Sequence, residues 1–599
     1  LRGLLREIND NYTLNKVIGN IPVLNFCSDM STCVECGTGL IVEKVKQRVL
    51  YTVAYGRVDA RETIKMCPAC QAKYRSGELP QIVKSGSNYA YDCMVEAGSL
   101  RYEEKRQIVE IQEIFQNKYH LPVSATQVRR MTYSYLDYLG RMHYSNAEKI
   151  KATLCSQSGG YILHVDSTCE GHAPHLLTCL DGISGFVLYS QKIQSENTTS
   201  LQTSFEKVKK LFGTPLCSVH DMGRGIINAL DLVFVAVIHV ICHFHLLRDI
   251  GKDLLQDLYR KVQKALSNKQ IYAEIRYQTQ ALEKVAGGKQ LAEKLFYQVA
   301  GQNKLTSKEF LLGTLYGYLL NLKSHENKGE GYGFPFDRPK LQYYKQICSI
   351  YSELLQIEDL PDFDAEIKKT TRFYKVKEAL RIIVEDRELK RTIKELDTQI
   401  VYFDQLRDIM RITLPESKNG LNDEGKISSE KELKSMEKEL SDYIETLKAK
   451  IKKEPKGKEK LQGVIKQLEK YWDKIFASPI TVMADGNEKT IFPHRTNNQS
   501  EQFYRKLKHL FRRLHGRPSV SKDIDYLPEE IAIIENLKNQ NYIKTVITSL
   551  DNLTFEFAKL DILKIELPFE KDDLNLKVSQ KLMRTLKNFV PLKTITRIA

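Results

Sequence analysis

No stretch of this 599-residue chain reaches the roughly 18 apolar residues that a membrane-spanning helix needs. The longest candidate, residues 232–241, is short, carries His239 and reads as a buried strand. Cysteine is sparse: twelve residues over this length are not a disulfide framework. There is no internal repeat and no extended low-complexity segment, and a hydrophobic fraction of 42% excludes global disorder. No signal peptide is recognisable, and Leu1 in place of Met fits a trimmed start or coverage that begins inside a longer product. A reducing, cytoplasmic compartment is expected. What is present is chain enough for about four domains. The 90 Lys and Arg exceed the 75 Asp and Glu, leaving a net charge of +15. That balance fits a polyanionic partner, although charge alone is weak support.

Five cysteines fall between Cys27 and Cys70, and four of them form two C-x-x-C pairs, Cys33/Cys36 and Cys67/Cys70. Each pair sets two thiolates on one tight turn, and two such turns supply the tetrahedral sulfur set that Zn²⁺ prefers. Gly37 and Gly39 suit the first turn, and residues 48–55 (RVLYTVAY) are strand-like. Residues 1–80 are therefore expected to form a zinc ribbon with Cys33, Cys36, Cys67 and Cys70 as ligands. Cys27 is spare and offers a ligand swap. The alternatives are coincidental turns with reduced thiols and a redox pair, which a doubled motif disfavours.

Residues 81–150 read as helical. Ile108, Ile111 and Phe115 recur at helical spacing in a helix expected from 101 to about 119. Ser124 is an N-cap for a second helix from 125 to about 139, with Arg129 and Arg130 near its start. A helix, a short turn and a basic second helix fit a DNA-binding helix-turn-helix. A plain helical hairpin is the alternative.

Residues 151–250 alternate. A strand over 161–165 ends at Asp166, and two more follow over 175–180 and 185–190. A helix over 198–212, a strand over 215–220 ending at Asp221, a helix over 225–230 and a strand over 233–241 complete the block. Three antiparallel strands followed by helix–strand–helix–strand is the ribonuclease-H-like order. Residues 251–485 are mostly helical, with a Gly/Pro-rich loop over 328–339. Leu389, Ile393, Leu396, Ile400, Phe403 and Met410 recur at three- and four-residue steps. So do Leu433, Met436, Leu440, Ile444, Leu447 and Ile451, beyond a polar breaker at 415–428. Two such arms predict an antiparallel coiled-coil hairpin over 387–475 that the ribonuclease-H-like block could lose as a fold, with a charged break at 453–460. Residues 486–520 are expected to return to the ribonuclease-H-like block, and 521–599 are expected as a helical tail.

Three carboxylates carry the chemistry. Asp166 and Asp221 end strands that are neighbours in such a sheet, and Glu501 opens a helix that closes the site from the side. In-line phosphodiester displacement uses two divalent ions, Mg²⁺ or Mn²⁺, about 3.5–4 Å apart. Asp166 would bridge both ions, with Asp221 on one and Glu501 on the other. Each acid has a plainer reading. An Asp after a strand caps a turn; Asn498 and Glu501 form a capping box; Glu501 and Arg505 form an i,i+4 pair. In the same helix Phe503, Leu507, Leu510 and Leu514 make one face, while Glu501, Arg505, Lys508 and Arg512 make the other, placed to hold phosphates. Strand alternation points His220 away from Asp221, so none of His164, His172, His175 and His220 is expected as a metal ligand.

Taken together, the segments 164–168 (HVDST), 218–223 (SVHDMG), 242–245 (CHFH) and 497–501 (NNQSE) resemble the DDE transposases of the Mutator-like and hAT-like branch, in their prokaryotic insertion-sequence form. The resemblance covers about 160–517. In that branch a C-x-x-H motif, matched here by Cys242 and His245, follows the second acid, and a helical insertion precedes the last Glu. It implies a ribonuclease-H-like catalytic domain with Asp166, Asp221 and Glu501 as catalytic acids. It also implies Mg²⁺-dependent end cleavage and strand transfer of a mobile element. Double-stranded DNA, as terminal inverted repeats and target, would be the partner of a homodimer or larger assembly at the nucleoid. The family places Cys242 and His245 near the catalytic centre; the residues alone also read as structural support. Two other functions stay open: a nuclease that cuts and never joins, and a domesticated transposase acting as a DNA-binding regulator, against which the presence of all three acids argues.

Overall fold

The structure is a computed structural model that describes residues 21–326, 329, 332–412, 429–453 and 458–569. The polar breaker at 415–428, half of the charged break at 453–460, part of the 328–339 loop and the end of the C-terminal segment lie outside them. The chain is mixed α/β and divides into two compact units. One comprises residues 1–242, 424–428 and 477–599; the other comprises 243–423 and 429–476. The second unit starts and ends somewhat before the 251–485 insertion read from the sequence.

The first unit opens with a small sheet. β1 (Val23–Cys27), β2 (Ile41–Thr52) and β3 (Gly56–Met66) lie in the order β1-β3-β2, with β4 (Lys73–Tyr74) also on β3. The strand-like run at 48–55 is only the end of β2: residues 53–55 make the turn that pairs Thr52 with Gly56. Helices Tyr91–Tyr102, Ile108–Asn117 and Ala125–Ser145 follow. One helix was expected over 101–119, but the chain turns at 103–107. There Lys105 takes a left-handed φ of 62°, and the Glu110 carboxylate accepts the Gln107 N–H at 2.7 Å, which restarts the helix. Ile111, Phe115, Leu121, Val123 and Val128 close a small core with Cys93, Ala97 and Leu100. The expected two-helix unit is therefore a three-helix cluster. Its third helix runs six residues past 139, buries 138–144 and leaves Arg129 and Arg130 exposed near its start.

The central sheet has five strands: β5 (Ile162–Thr168), β6 (His175–Asp181), β7 (Val187–Ile193), β8 (Cys217–His220) and β9 (Ile238–Ile241). They lie in the order β7-β6-β5-β8-β9. β5, β6 and β7 are antiparallel neighbours; β8 is parallel to β5, and β9 to β8. β5 runs two residues past Asp166. β9 is shorter than the 233–241 run: residues 224–233 are helical, and Val235 between them is 82% exposed. An apolar run of this length reads as one buried strand, yet only 238–241 pairs: Val233 ends the helix and residues 234–237 make the turn into β9.

The C-terminal segment corrects the expectation of a tail. A 3-10 helix, Glu529–Lys538, runs along β7, and a helix at Leu553–Ile562 packs on the Tyr91–Tyr102 and Ala125–Ser145 helices. Ile531, Ile534, Tyr542 and Phe557 join the core of the central sheet. Asn536 accepts the Val187 N–H at 2.7 Å and donates to the Val187 carbonyl at 2.9 Å, pairing an edge strand as another strand would. Asp561 accepts from Tyr91, Tyr138 and Arg141.

In the second unit, helix Arg387–Ile409 packs chiefly along helix His243–Asn268 and less on helix Glu430–Lys453. Arg411 makes a two-pronged pair with Glu439, and the Tyr443 hydroxyl donates to the Tyr402 carbonyl. The isolated coiled-coil hairpin is thus corrected to part of a helical bundle, because the buried faces of Leu396 and Phe403 are wide enough to serve two neighbours. Among the described residues, no helix is long and apolar enough to cross a membrane.

Candidate metal centre and carboxylate groove

The two C-x-x-C turns are copies of one hydrogen-bond pattern. Cys33 N–H donates to the Thr38 carbonyl and Gly37 N–H to the Cys33 carbonyl; Cys67 and Gln71 repeat this with Ala72 and Cys67. The fifth residue of each turn is left-handed, at φ 70° for Gly37 and 61° for Gln71, so the glycine suits the first turn and the second tolerates a side chain. Gly39 has no such φ. β2 and β3 carry the turns to one end of the sheet, where all four sulfurs lie within 4.8 Å of one another. Two of the sulfur separations are 3.4 Å and a third is 3.9 Å. A tetrahedral Zn²⁺ with bonds near 2.3 Å needs about 3.8 Å, so the set fits that ion. The Tyr74 hydroxyl donates to the Cys33 sulfur at 3.1 Å and holds its thiol down at about 6, which favours the thiolate a metal requires. Cys27, on β1, is not part of the set.

Asp166 lies on β5, and Asp221 directly follows β8. The parallel register pairs Ile162 with Cys217 and His164 with Val219; continued by two residues, it sets Asp166 beside Asp221 on the same face. Asp221 Oδ1 accepts the Gly223 N–H at 2.9 Å. Glu501 sits in the first turn of helix Asn498–His515. The capping-box reading of Glu501 fails, because Asn498 is already helical and the N-cap, Asn497, makes no side-chain cap bond. Asn497 is buried and turned toward the sheet instead. Its Oδ1 is 2.9 Å from His164 Nδ1, and its Nδ2 donates to the Val165 carbonyl at 2.9 Å. One turn later, the Tyr504 hydroxyl lies 2.8 Å from the Asp166 carbonyl and 2.8 Å from Thr178 Oγ1. These two anchors bracket Glu501 and hold it over β5.

The electrostatics report the convergence. Burial, then the charges of Asp221, Glu501 and Glu196, push the Asp166 carboxyl up to about 8. The three acids do not form a single tight cage: among the described residues only the cysteine set brings three or more such ligand atoms within 4.8 Å. Asp166, Ser167, Thr168, Glu501, Tyr504, Arg505, Lys508 and Arg512 line one groove of about 340 Å³. The groove sets the Asp166 and Glu501 carboxylates beside three cations of the Glu501 helix, a lining that could take a divalent ion together with a phosphate. The apolar face of the helix is Phe503, Tyr504, Leu507, Phe511 and Leu514; Leu510, expected there, is only half-buried.

Arg129 and Arg130 lie on the N-terminal helical cluster and are not part of the groove. Cys242 is buried and accepts the Asn497 N–H at 3.2 Å, a supporting contact behind the acids. His245 belongs to the second unit, in the first turn of helix His243–Asn268. Sequence reasoning set His164 and His175 aside as metal ligands; it missed the anchoring by Asn497 and Tyr504, and it missed Glu196. Buried His164 is 2.9 Å from His494 Nδ1, and burial drops its pKa to about 3, so it is neutral structure. Glu196 and His175 stand against Ser167, next to Asp166. The one signal in the sequence was the polar run 494–500 (HRTNNQS), too hydrophilic for a core yet largely buried. The chain matches no known protein family and no curated protein.

Proposed function

We propose that the chain is a DDE-type DNA transposase, with a ribonuclease-H-like catalytic domain built on β5–β9 and an N-terminal zinc ribbon. The observation that carries the reading is that the charges of Asp221 and Glu501 both act on the Asp166 carboxyl on a β7-β6-β5-β8-β9 sheet, while Asp166 and Glu501 share a groove with Arg505, Lys508 and Arg512. Two Mg²⁺ or Mn²⁺ ions would supply charge neutralisation and Lewis acidity to the phosphodiester. Asp166, Asp221 and Glu501 would hold them. Arg505, Lys508 and Arg512 clamp the DNA backbone near the reacting phosphate; such contacts position the strand without reading its sequence. Reading of element ends falls to the N-terminal region, where Arg129 and Arg130 are exposed. Cys33, Cys36, Cys67 and Cys70 hold one structural Zn²⁺. The end cleavage leaves a 3′-hydroxyl, which attacks target DNA by the same in-line route, in a homodimer or larger complex.

The test is end cleavage and strand transfer on double-stranded DNA carrying the ends that flank the gene, with Mg²⁺. Asp166→Asn, Asp221→Asn and Glu501→Gln should each abolish both steps and leave DNA binding intact, because affinity resides in Lys and Arg contacts and counterion release. A folded Glu501→Gln protein that still cleaves removes Glu501 from the site. Cleavage without joining by the unaltered chain replaces the transposase with a nuclease. DNA binding without either reaction leaves the regulator.

A further inference from the structure

Asp166 is followed by a residue that the three-acid scheme does not use. Ser167 lies near the end of β5 and lines the groove. Its backbone N–H donates to Asp166 Oδ1 at 2.8 Å. Its hydroxyl donates to Glu196 Oε1 and lies 3.1 Å from His175 Nδ1, which is 3.7 Å from the same Glu196 oxygen. With the serine proton given to Glu196, His175 Nδ1–H is the donor to Ser167 Oγ. One residue thus carries two directed bonds, one orienting the Asp166 carboxylate and one reaching outward to Glu196.

Glu196 is held in place from two sides. Asn197, the next residue, caps helix Thr198–Phe212 by accepting the Ser200 N–H at 2.9 Å. The Glu196 carbonyl lies against Gly225, where a Cβ would come within 2.0 Å of it. Gly225 is the second residue of the helix that follows Asp221. The loop carrying Glu196 is thereby packed against the loop carrying Asp221, and only glycine permits the approach. Glu196 also brings a fourth negative charge toward Asp166. A half-exposed loop acid would lower its energy by turning to water; this one bears on the Asp166 carboxylate and is tied to the residue beside it.

We propose that Glu196 is a positioning residue of the carboxylate centre, acting through Ser167 to fix the Asp166 carboxylate for a divalent ion. The proposal rests on the metal-holding role of Asp166 given above. Outer partners of metal ligands typically change metal affinity 10–100-fold when removed.

The experiment measures Mn²⁺ binding to the full-length chain by electron paramagnetic resonance, with circular dichroism to verify folding. Glu196→Ala is expected to weaken Mn²⁺ binding about tenfold or more. Glu196→Gln, whose amide oxygen still accepts from Ser167, is expected to restore most of the affinity. Ser167→Ala should reproduce Glu196→Ala, and it decides the matter should Glu196→Ala fail to fold. Unchanged binding in Glu196→Ala or Ser167→Ala, while Asp166→Asn loses the ion, overturns the positioning role and leaves the three-acid reading standing. A Glu196→Gln protein as weak as Glu196→Ala also overturns it, because the charge and not the hydrogen bond would then matter. Asp166→Asn binding as tightly as the unaltered chain overturns both.

Discussion

His143 gives the first unit a defined acid sensitivity. Its ring is fully buried between the Ala125–Ser145 helix, β7 and the C-terminal segment: Nε2 is 2.9 Å from the Leu188 carbonyl, and Nδ1 is 2.9 Å from the Tyr542 hydroxyl. A carbonyl only accepts, so the proton sits on Nε2 and the neutral ring satisfies both partners. Burial drops its pKa from 6.5 to about 4. The folded pKa lies below the unfolded one, so between pH 6.5 and about 4 the unfolded chain binds a proton that the folded chain refuses. Stability from this group is therefore complete above pH 6.5 and lost as pH falls, by about 1.4 kcal/mol per unit, or roughly 2.7 kcal/mol by pH 4.5. Asp166, raised to about 8, acts with the opposite sign over the same range, so the whole-protein curve is not diagnostic. The difference between the unaltered chain and His143→Gln is. At pH 7.5 the variant should be less stable by about 1–3 kcal/mol, because a buried partner is left unsatisfied. In urea melts followed by circular dichroism, that gap should close by about 1.4 kcal/mol per unit below pH 6.5 and vanish or reverse near pH 4.5. A gap constant from pH 7.5 to 4.5 would falsify the buried, neutral assignment.

Three further outcomes follow from the geometry. Metal analysis of the purified chain should find about one Zn²⁺, and Cys67→Ser should lose it together with order at the N-terminal sheet; an equally ordered, zinc-free chain contradicts the four-cysteine site. Asn536→Ala leaves both polar groups of Val187 unpaired in the core and should cost about 2–6 kcal/mol in urea unfolding; a loss under about 1 kcal/mol shows that the C-terminal segment does not complete the sheet. Arg505→Ala or Lys508→Ala should weaken DNA binding and flatten its salt dependence by roughly one unit of log–log slope, and an unchanged slope removes that side chain from the phosphate path.

The cysteine turns and the strand acids were legible because each depends on local chemistry. A C-x-x-C turn is made by its own backbone bonds, and Asp166 and Asp221 directly follow the short runs 162–165 and 217–220. The extent of β9 was not legible, because an apolar run does not show where within it a turn brings the chain into the sheet. The partners of Arg387–Ile409 were not legible either: heptad-like spacing shows that a face is buried and is silent on what covers it. Residues 521–562 gave no motif, since their role is to fill the space against β7 and the Ala125–Ser145 helix, which only the assembled sheet defines. Glu196 was invisible for a related reason. Nothing near it in the sequence marks it, and its value comes from Ser167, 29 residues earlier in the chain.

The third acid raises the question of how a carboxylate at 501 finds one at 166 with the second unit in between. The points of departure and return lie close together in the first unit. Cys242 directly follows β9 and its sulfur accepts the Asn497 N–H, while Ile480 and Ile491, on a two-stranded ribbon, pack against Ile162, Val219 and Val240. The chain therefore comes back beside the strand it left. Loop-closure entropy rises by only about 0.6 kcal/mol for each doubling of the enclosed length, so a large intervening unit adds little to the cost of closure. What fixes Glu501 is local to the return point. Asn497 bonds to His164 and Val165, and Tyr504 reaches the Asp166 carbonyl, so two residues of the helix contact the strand that bears the first acid. Unsatisfied, the buried polar groups of these anchors would each cost about 1–3 kcal/mol, as much as roughly two to five doublings of loop length. The placement of Glu501 is thus set by the buried polar run at 494–504 and is insensitive to the size of the unit between Asp221 and it.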